Sequence, residues 1–152
     1  KQQNKQIDII LLNSGGIRSI IPKGNITKRN AFEVMPFENS LIVIALKGEQ
    51  IKALAQHIIT EKKPHPLNGL KIILNKENVI ATILFKEKPI DNNKIYYVGT
   101  SDYLANGGDN MTFFLKNEGT FDLNYKIRNV LIDYFQKHKT IEASNSPRII
   151  KE

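Results

Sequence analysis

The sequence predicts an α+β fold, a single domain in which a mixed β-sheet carries packed helices. Three observations carry this expectation. Short β-branched runs of strand length recur along the chain, and two longer stretches show a helical apolar stripe. The two kinds of element are interspersed without a strict strand–helix rhythm, which favours a mixed sheet over a doubly wound parallel one. The length of 152 residues suits one unit, since single domains commonly run to about 100–200 residues.

Each element has its own local reason. Ile7–Leu12 is a β-branched run between polar flanks, read as a buried strand that Asn13–Arg18 breaks with adjacent glycines. Thr27 is placed to cap a short helix over Lys28–Met35, and Pro36 stops it. Ser40–Leu46 is a continuous apolar run of strand length, ended by Gly48. In Glu49–Thr60, Ile51, Leu54, Ala55 and Ile58 fall on one helical face, and Pro64-His65-Pro66 closes the helix off. Leu70–Leu74 and Val79–Phe85 read as strands around the polar turn Asn75–Asn78, and Lys94–Thr100 as another. The last helix is expected over about Tyr125–His138, with Ile127, Val130, Leu131 and Tyr134 as its stripe and Asn124 or Asp122 as its cap. Arg148-Ile149-Ile150 has the pattern of a short edge strand. There is no internal repeat and no low-complexity linker.

Composition removes several chemistries. The chain has no Cys, which excludes disulfides, thiolate metal sites and a cysteine nucleophile. The longest apolar run, Leu41–Leu46, is far below the ~20 residues of a membrane helix. The net charge of +7 invites a nucleic-acid reading, but the lysines lie in ones and twos beside Glu or Asn. A solvated surface is therefore expected and no nucleic acid partner. His57, His65 and His138 have no second His or Asp at ligand spacing, so they are expected as surface or partly packed residues and no metal site is assigned. No Walker-type phosphate loop, dinucleotide fingerprint or nucleophile elbow is present. No catalytic residue is assigned.

What remains is a pair of glycine-centred loops, each after a strand: Asn13-Ser14-Gly15-Gly16-Ile17-Arg18 and Asp102-Tyr103-Leu104-Ala105-Asn106-Gly107-Gly108-Asp109. Paired glycines let the backbone take a positive φ and approach a ligand closely, although turn geometry alone would also call for them. Asn13 offers a donor and an acceptor, Arg18 a planar fork of donors, and Asp109 a carboxylate able to accept from a diol. Between the loops, Met35-Pro36-Phe37-Glu38-Asn39 holds an aromatic ring on a proline turn. Core packing is the alternative for Phe37 and Tyr103.

At these residues the chain resembles the C-terminal domain of 5'-nucleotidases and UDP-sugar hydrolases. Three segments in the right order carry the likeness: LNSGGIR over Leu12–Arg18, Pro36-Phe37 within VMPFENSLIVIALKG, and YLANGGD over Tyr103–Asp109. It extends from about Asp8 to Ile150. The resemblance implies a domain that holds the nucleoside part of a substrate. Phe37 and Tyr103 would sandwich the base, Asn13 would contact its edge, and Arg18 and Asp109 would bind the ribose and nearby oxygens. Gly15, Gly16, Asn106, Gly107 and Gly108 would support the loops. Asn110-Met111 stands where a Gly followed by Phe or Tyr is usual, and Asn110 can still take a left-handed turn.

The resemblance further implies a metallophosphatase domain or partner chain bearing a divalent metal pair, and an earlier helix that supplies another arginine. Neither lies within residues 1–152, so the whole chain is expected as this one domain, binding no cofactor and showing no phosphatase activity alone. A periplasmic or extracellular location is implied by the same likeness. A stand-alone nucleotide-binding module without a catalytic partner is the other reading that these residues allow.

Overall fold

The computed structural model describes residues 6–152; Lys1–Lys5, at the head of the polar lead-in, lie outside them. In chain order the elements are β1 (Ile9–Leu11), α1 (Lys28–Val34), β2 (Ser40–Lys47), α2 (Gly48–Glu61), β3 (Leu67–Asn68), β4 (Lys71–Leu74), β5 (Ile80–Phe85), β6 (Lys88–Pro89), β7 (Ile95–Ser101), α3 (Asp102–Ala105), β8 (Gly119–Lys126), α4 (Ile127–Lys137) and β9 (Ile149–Lys151). The fold is α+β, as the interspersed pattern predicts, with the strands divided between two mixed sheets.

The larger sheet has the order β3-β1-β7-β2-β8. Its β1–β7 pair is parallel and the other neighbours are antiparallel. The smaller has the order β6-β5-β4-β9, with β9 parallel to β4 at the edge. Strand β2, an inner strand between β7 and β8, is buried from Ile42 to Leu46 without a break and packs against α2 and α3. A run of that kind has no polar alternation to read, as expected for a strand enclosed on both sides.

The apolar stripe of α2 is realised as predicted: Ile51, Leu54 and Ala55 are fully buried and Ile58 nearly so. They join Ile9, Leu11, Ile44, Val98, Met111 and Phe114 in the core. Each buried Leu or Ile contributes roughly 1.5–3 kcal/mol relative to an exposed one. The turn Asn75–Asn78 is also as expected. Asn75 Oδ1 accepts from the Glu77 and Val79 amides at 3.1 and 2.9 Å, and Asn78 takes φ 61°.

Thr27 is the N-cap of α1, as expected, and forms a capping box with Asn30, whose Oδ1 accepts from the Thr27 amide at 2.8 Å and from its hydroxyl at 3.0 Å. Other expectations are corrected. Asp122 and Asn124 do not cap α4, because both belong to β8, an eight-residue edge strand absent from the sequence reading. Along it Phe121, Leu123 and Tyr125 alternate with Thr120, Asp122 and Asn124, as in a strand with one face toward water. The stripe of α4 is rotated as well. Val130 and Tyr134 are 40% and 49% exposed, while Arg128 is buried and Leu131, Ile132 and Phe135 are half-buried. The inward face of α4 thus contains a cation, which a hydropathy pattern assigns to solvent.

Candidate functional site

The first glycine loop leaves the end of β1 through a single helical turn over Ser14–Gly16. Neither Gly15 nor Gly16 takes a positive φ, so the expected backbone freedom is not what this pair supplies. Instead the side chain of Asn13 lies along them. A Cβ on Gly16 would sit 3.1 Å from Asn13 Oδ1, and one on Gly15 3.4 Å from Asn13 Nδ2. The loop is fixed from below by His65, whose Nδ1 accepts a hydrogen bond from the Ser14 amide at 3.0 Å. His65 is buried, and burial pushes its pKa below the usual imidazole range, against a smaller upward pull from Asp109. Arg18 closes the loop through its amide, which donates to Val34 O at 2.9 Å, and its side chain is exposed.

The second loop begins at the end of β7. Ser101 Oγ accepts from the Leu104 amide at 3.1 Å and caps the single turn of α3. The chain then bends through Gly107 at φ 86°, with Asp109 and Asn110 left-handed at 52° and 58°. A left-handed Asp or Asn is tolerated better than most residues, so Asn110 preserves the turn, as expected. Gly108 serves close approach: a Cβ there would lie 2.6 Å from Cε1 and Cζ of Tyr103 and from its carbonyl oxygen. The ring therefore rests on the Gly108 backbone. Its hydroxyl donates to Asp109 Oδ1 at 2.9 Å and accepts from the Asp109 amide at 3.2 Å. Ring and carboxylate form one unit, with Asp109 Oδ2 left for another donor.

Phe37 and Tyr103 are 51% and 47% exposed, so neither ring is packed into the core. Phe37 borders a small depression of about 30 Å³ together with Asn13, Gly16, Asn39, Ser101 and Arg128. Tyr103 borders an open one of about 550 Å³ with Asn39, Asp102, Asn106, Gly107 and Gly108. Asn39 belongs to the walls of both. Its Nδ2 donates to Asp102 Oδ1 at 2.7 Å. Burial raises the Asp102 pKa, but the Asn39, Ser40 and Tyr103 donors outweigh it and hold the carboxyl below its ordinary range. Arg18 and Asp109 line neither depression.

Electrostatically, the C-terminal end of α2 reaches this region. The Glu61 carboxylate, at 2.7 Å, holds the Lys63 ammonium above its usual pKa, and Asp109 adds a smaller pull in the same direction. A more voluminous groove, of about 980 Å³, lies elsewhere, between residues 21–26 and the C-terminal end of α4. None of the residues predicted to bind substrate lines it, though His138 does. Among the described residues no group of three or more His, Asp or Glu side chains is placed to hold a metal ion, and no helix is long and apolar enough to cross a membrane.

Residues 2–116 match the family model described as "5'-nucleotidase, C-terminal domain". The chain belongs to that family. It is 29% identical to the NAD 5'-nucleotidase of Haemophilus influenzae over 95% of its own length and 28% of that protein's. It is 28% identical to an apyrase from Tabanus yao, covering 94% of this chain and 29% of the apyrase. Among solved structures, a 5'-nucleotidase precursor from Thermus thermophilus superposes with a TM-score of 0.85 at 29% identity. That superposition covers 95% of this chain and 31% of the other. The chain thus spans under a third of the length of these relatives and corresponds to their C-terminal domain.

Sequence reasoning found the loops but missed what holds them. His65 stood out only as a residue between prolines, expected at the surface or partly packed, and Arg128 was not singled out. Nothing local in the sequence marks either, since each acts on a backbone about fifty or ninety positions away, at Ser14 and at Met35-Pro36 respectively.

Proposed function

We propose that this chain recognises the nucleoside part of a nucleotide for a 5'-nucleotidase-type phosphomonoester hydrolase. The observation that carries the reading is the pair of half-exposed rings, Phe37 and Tyr103, opening beside Asn39 in neighbouring depressions of a 5'-nucleotidase C-terminal domain. A flat base placed between two aromatic faces gains roughly 1–3 kcal/mol per stacking contact, with little regard to which base it is. Asn13, beside Phe37, meets the base edge. Asp109 accepts from the ribose hydroxyls through Oδ2, its Oδ1 being engaged by Tyr103. Arg18 supplies an exposed fork of donors to the sugar and nearby oxygens.

Recognition of this kind is loose on the base and sharp on the sugar. A carboxylate aimed at a diol loses a partner when the 2'-hydroxyl is missing. Hydrolysis of the phosphomonoester belongs, on this reading, to a metallophosphatase domain or partner chain. There a metal pair would activate water and clamp the phosphoryl oxygens. On the same reading, the part of this chain is to bind and orient the substrate. The expected setting is periplasmic or extracellular.

Calorimetry with adenosine and AMP tests the proposal. The chain should bind both, and Phe37→Ala and Asp109→Ala should each weaken binding. Absence of binding up to millimolar ligand would overturn it.

A further inference from the structure

Arg128 is the only Lys or Arg buried among the described residues, 7% exposed on the inward face of α4. Its Nη1 donates to the carbonyls of Met35 and Pro36 at 3.2 and 3.1 Å. Its Nη2 pairs with the Glu38 carboxylate, and its guanidinium lies 3.9 Å from the centre of the Phe32 ring. Just before it in the chain, Lys126 Nζ donates to the Glu38 carbonyl at 2.6 Å and to Ser40 Oγ at 3.3 Å. The carbonyls of residues 35, 36 and 38 are therefore each held by a cation from the junction of β8 and α4. Phe37 sits between those anchors with its own ring half-exposed and bordering the smaller depression.

An apolar side chain would pack this position of α4 without the desolvation penalty of a guanidinium. What an apolar residue cannot do is grip two successive carbonyls and a carboxylate at once, which the planar fork of Arg can. Lys126 is not needed for packing either, its ammonium being engaged by the same turn. Both cations act on main-chain groups of this turn, with the Glu38 carboxylate and Ser40 Oγ as further partners.

We propose that Arg128 and Lys126 form a clamp whose role is to set the direction of the Phe37 ring, making Arg128 a positioning residue for base stacking. The proposal rests on the nucleoside-binding reading above. The clamp freezes the turn before ligand arrives, so binding does not have to order it. Its action passes through Phe37 alone, which distinguishes it from general support of the fold.

The test combines ligand binding with a direct view of the ring, using the whole chain. Adenosine and ribose 5-phosphate binding are measured by calorimetry for wild type, Arg128→Gln, Phe37→Ala and the double variant. In parallel, 4-fluorophenylalanine at position 37 reports ring order by 19F NMR. Arg128→Gln should weaken adenosine about tenfold, within the range seen for directly coupled neighbours, and leave ribose 5-phosphate unchanged. It should add nothing in the Phe37→Ala background, and the fluorine line should broaden or shift toward the solvent-exposed position. Arg128→Lys should recover part of the loss.

A folded Arg128→Gln variant that binds adenosine like wild type with an unchanged fluorine line would overturn the clamp. So would losses that multiply in the double variant. Should Arg128→Gln fail to fold, Lys126→Met faces the same criteria with smaller effects. Wild type failing to bind adenosine would sink the nucleoside reading instead, and the fluorine line would still decide whether Arg128 sets Phe37.

Discussion

Replacing Tyr103 with Phe removes one oxygen and keeps the ring, which separates the stacking role proposed for this residue from its hold on Asp109. The hydroxyl takes part in two hydrogen bonds, donating to the carboxylate at 2.9 Å and accepting from the Asp109 amide at 3.2 Å. A neutral hydrogen bond contributes about 0.5–1.5 kcal/mol net and one to a charged group about 1.5–3 kcal/mol. Tyr103 is 47% exposed, so water replaces much of both bonds, and a net effect of about 0.5–1 kcal/mol is expected. That corresponds to roughly a two- to fivefold loss of adenosine affinity. The ring still rests on Gly108, so stacking survives. Asp109, at φ 52°, loses the tie that helps hold its strained turn and becomes a less defined acceptor. The preference for adenosine over 2'-deoxyadenosine should therefore shrink, while deoxyadenosine affinity barely changes. Calorimetry with both nucleosides on wild type, Tyr103→Phe and Tyr103→Ala checks this. The reasoning is refuted if Tyr103→Phe loses as much as Tyr103→Ala, or if it weakens both nucleosides equally.

Other outcomes follow from contacts of similar clarity. Gly108→Ala places a Cβ 2.6 Å from the Tyr103 ring and carbonyl; overpacking of this kind costs about 1–3 kcal/mol. It should appear as lost nucleoside affinity together with a lowered thermal midpoint. Leu54→Ala empties a fully buried position of α2 and should cost about 2–5 kcal/mol in urea unfolding. His65 predicts a pH dependence: its folded pKa lies below the ordinary 6.5 because burial disfavours the cation. The stabilisation by the neutral ring is therefore complete above about pH 6.5 and is lost as pH falls through the lower folded value. Protonation at Nδ1 would also break the bond from the Ser14 amide. The urea midpoint should drop on acidification below about pH 6.5, by less in His65→Gln, and an equal drop in that variant would contradict the assignment.

The parts of this fold that were legible in the sequence are those where burial and local chemistry agree. Ile51, Leu54, Ala55 and Ile58 are apolar on one helical face and are all buried. Gly107 and Asn110 sit where left-handed backbone is required. The parts that were not legible are those where a long-range demand overrides the local pattern. Arg128 turns α4 inward against its own hydropathy, because the carbonyls of Met35 and Pro36 lie there. Strand β8 was hidden because Asp122 and Asn124, which alternate with Phe121, Leu123 and Tyr125 along it, also read as caps for the helix that follows. Gly15 and Gly16 do not supply the positive φ expected of them; the Asn13 side chain lies against the pair instead.

These failures share a cause that bears on the site itself. Each ring is aimed by groups from a different part of the chain. Tyr103 is set locally, by Gly108 beneath it and Asp109 beside it, within six residues. Phe37 is set from a distance, by cations about ninety positions on. The local arrangement lies wholly within the YLANGGD stretch. The distant one depends on the phase of α4 and on the junction that starts it. A substitution that rotates α4 by one position, such as a deletion near Lys126, would leave every recognisable motif in place. It would still carry Arg128 off the Met35-Pro36 carbonyls and release Phe37. Such a variant should keep the Tyr103–Asp109 unit intact and lose base stacking on one side only, which makes the intactness of the motifs a poor guide to the intactness of the site.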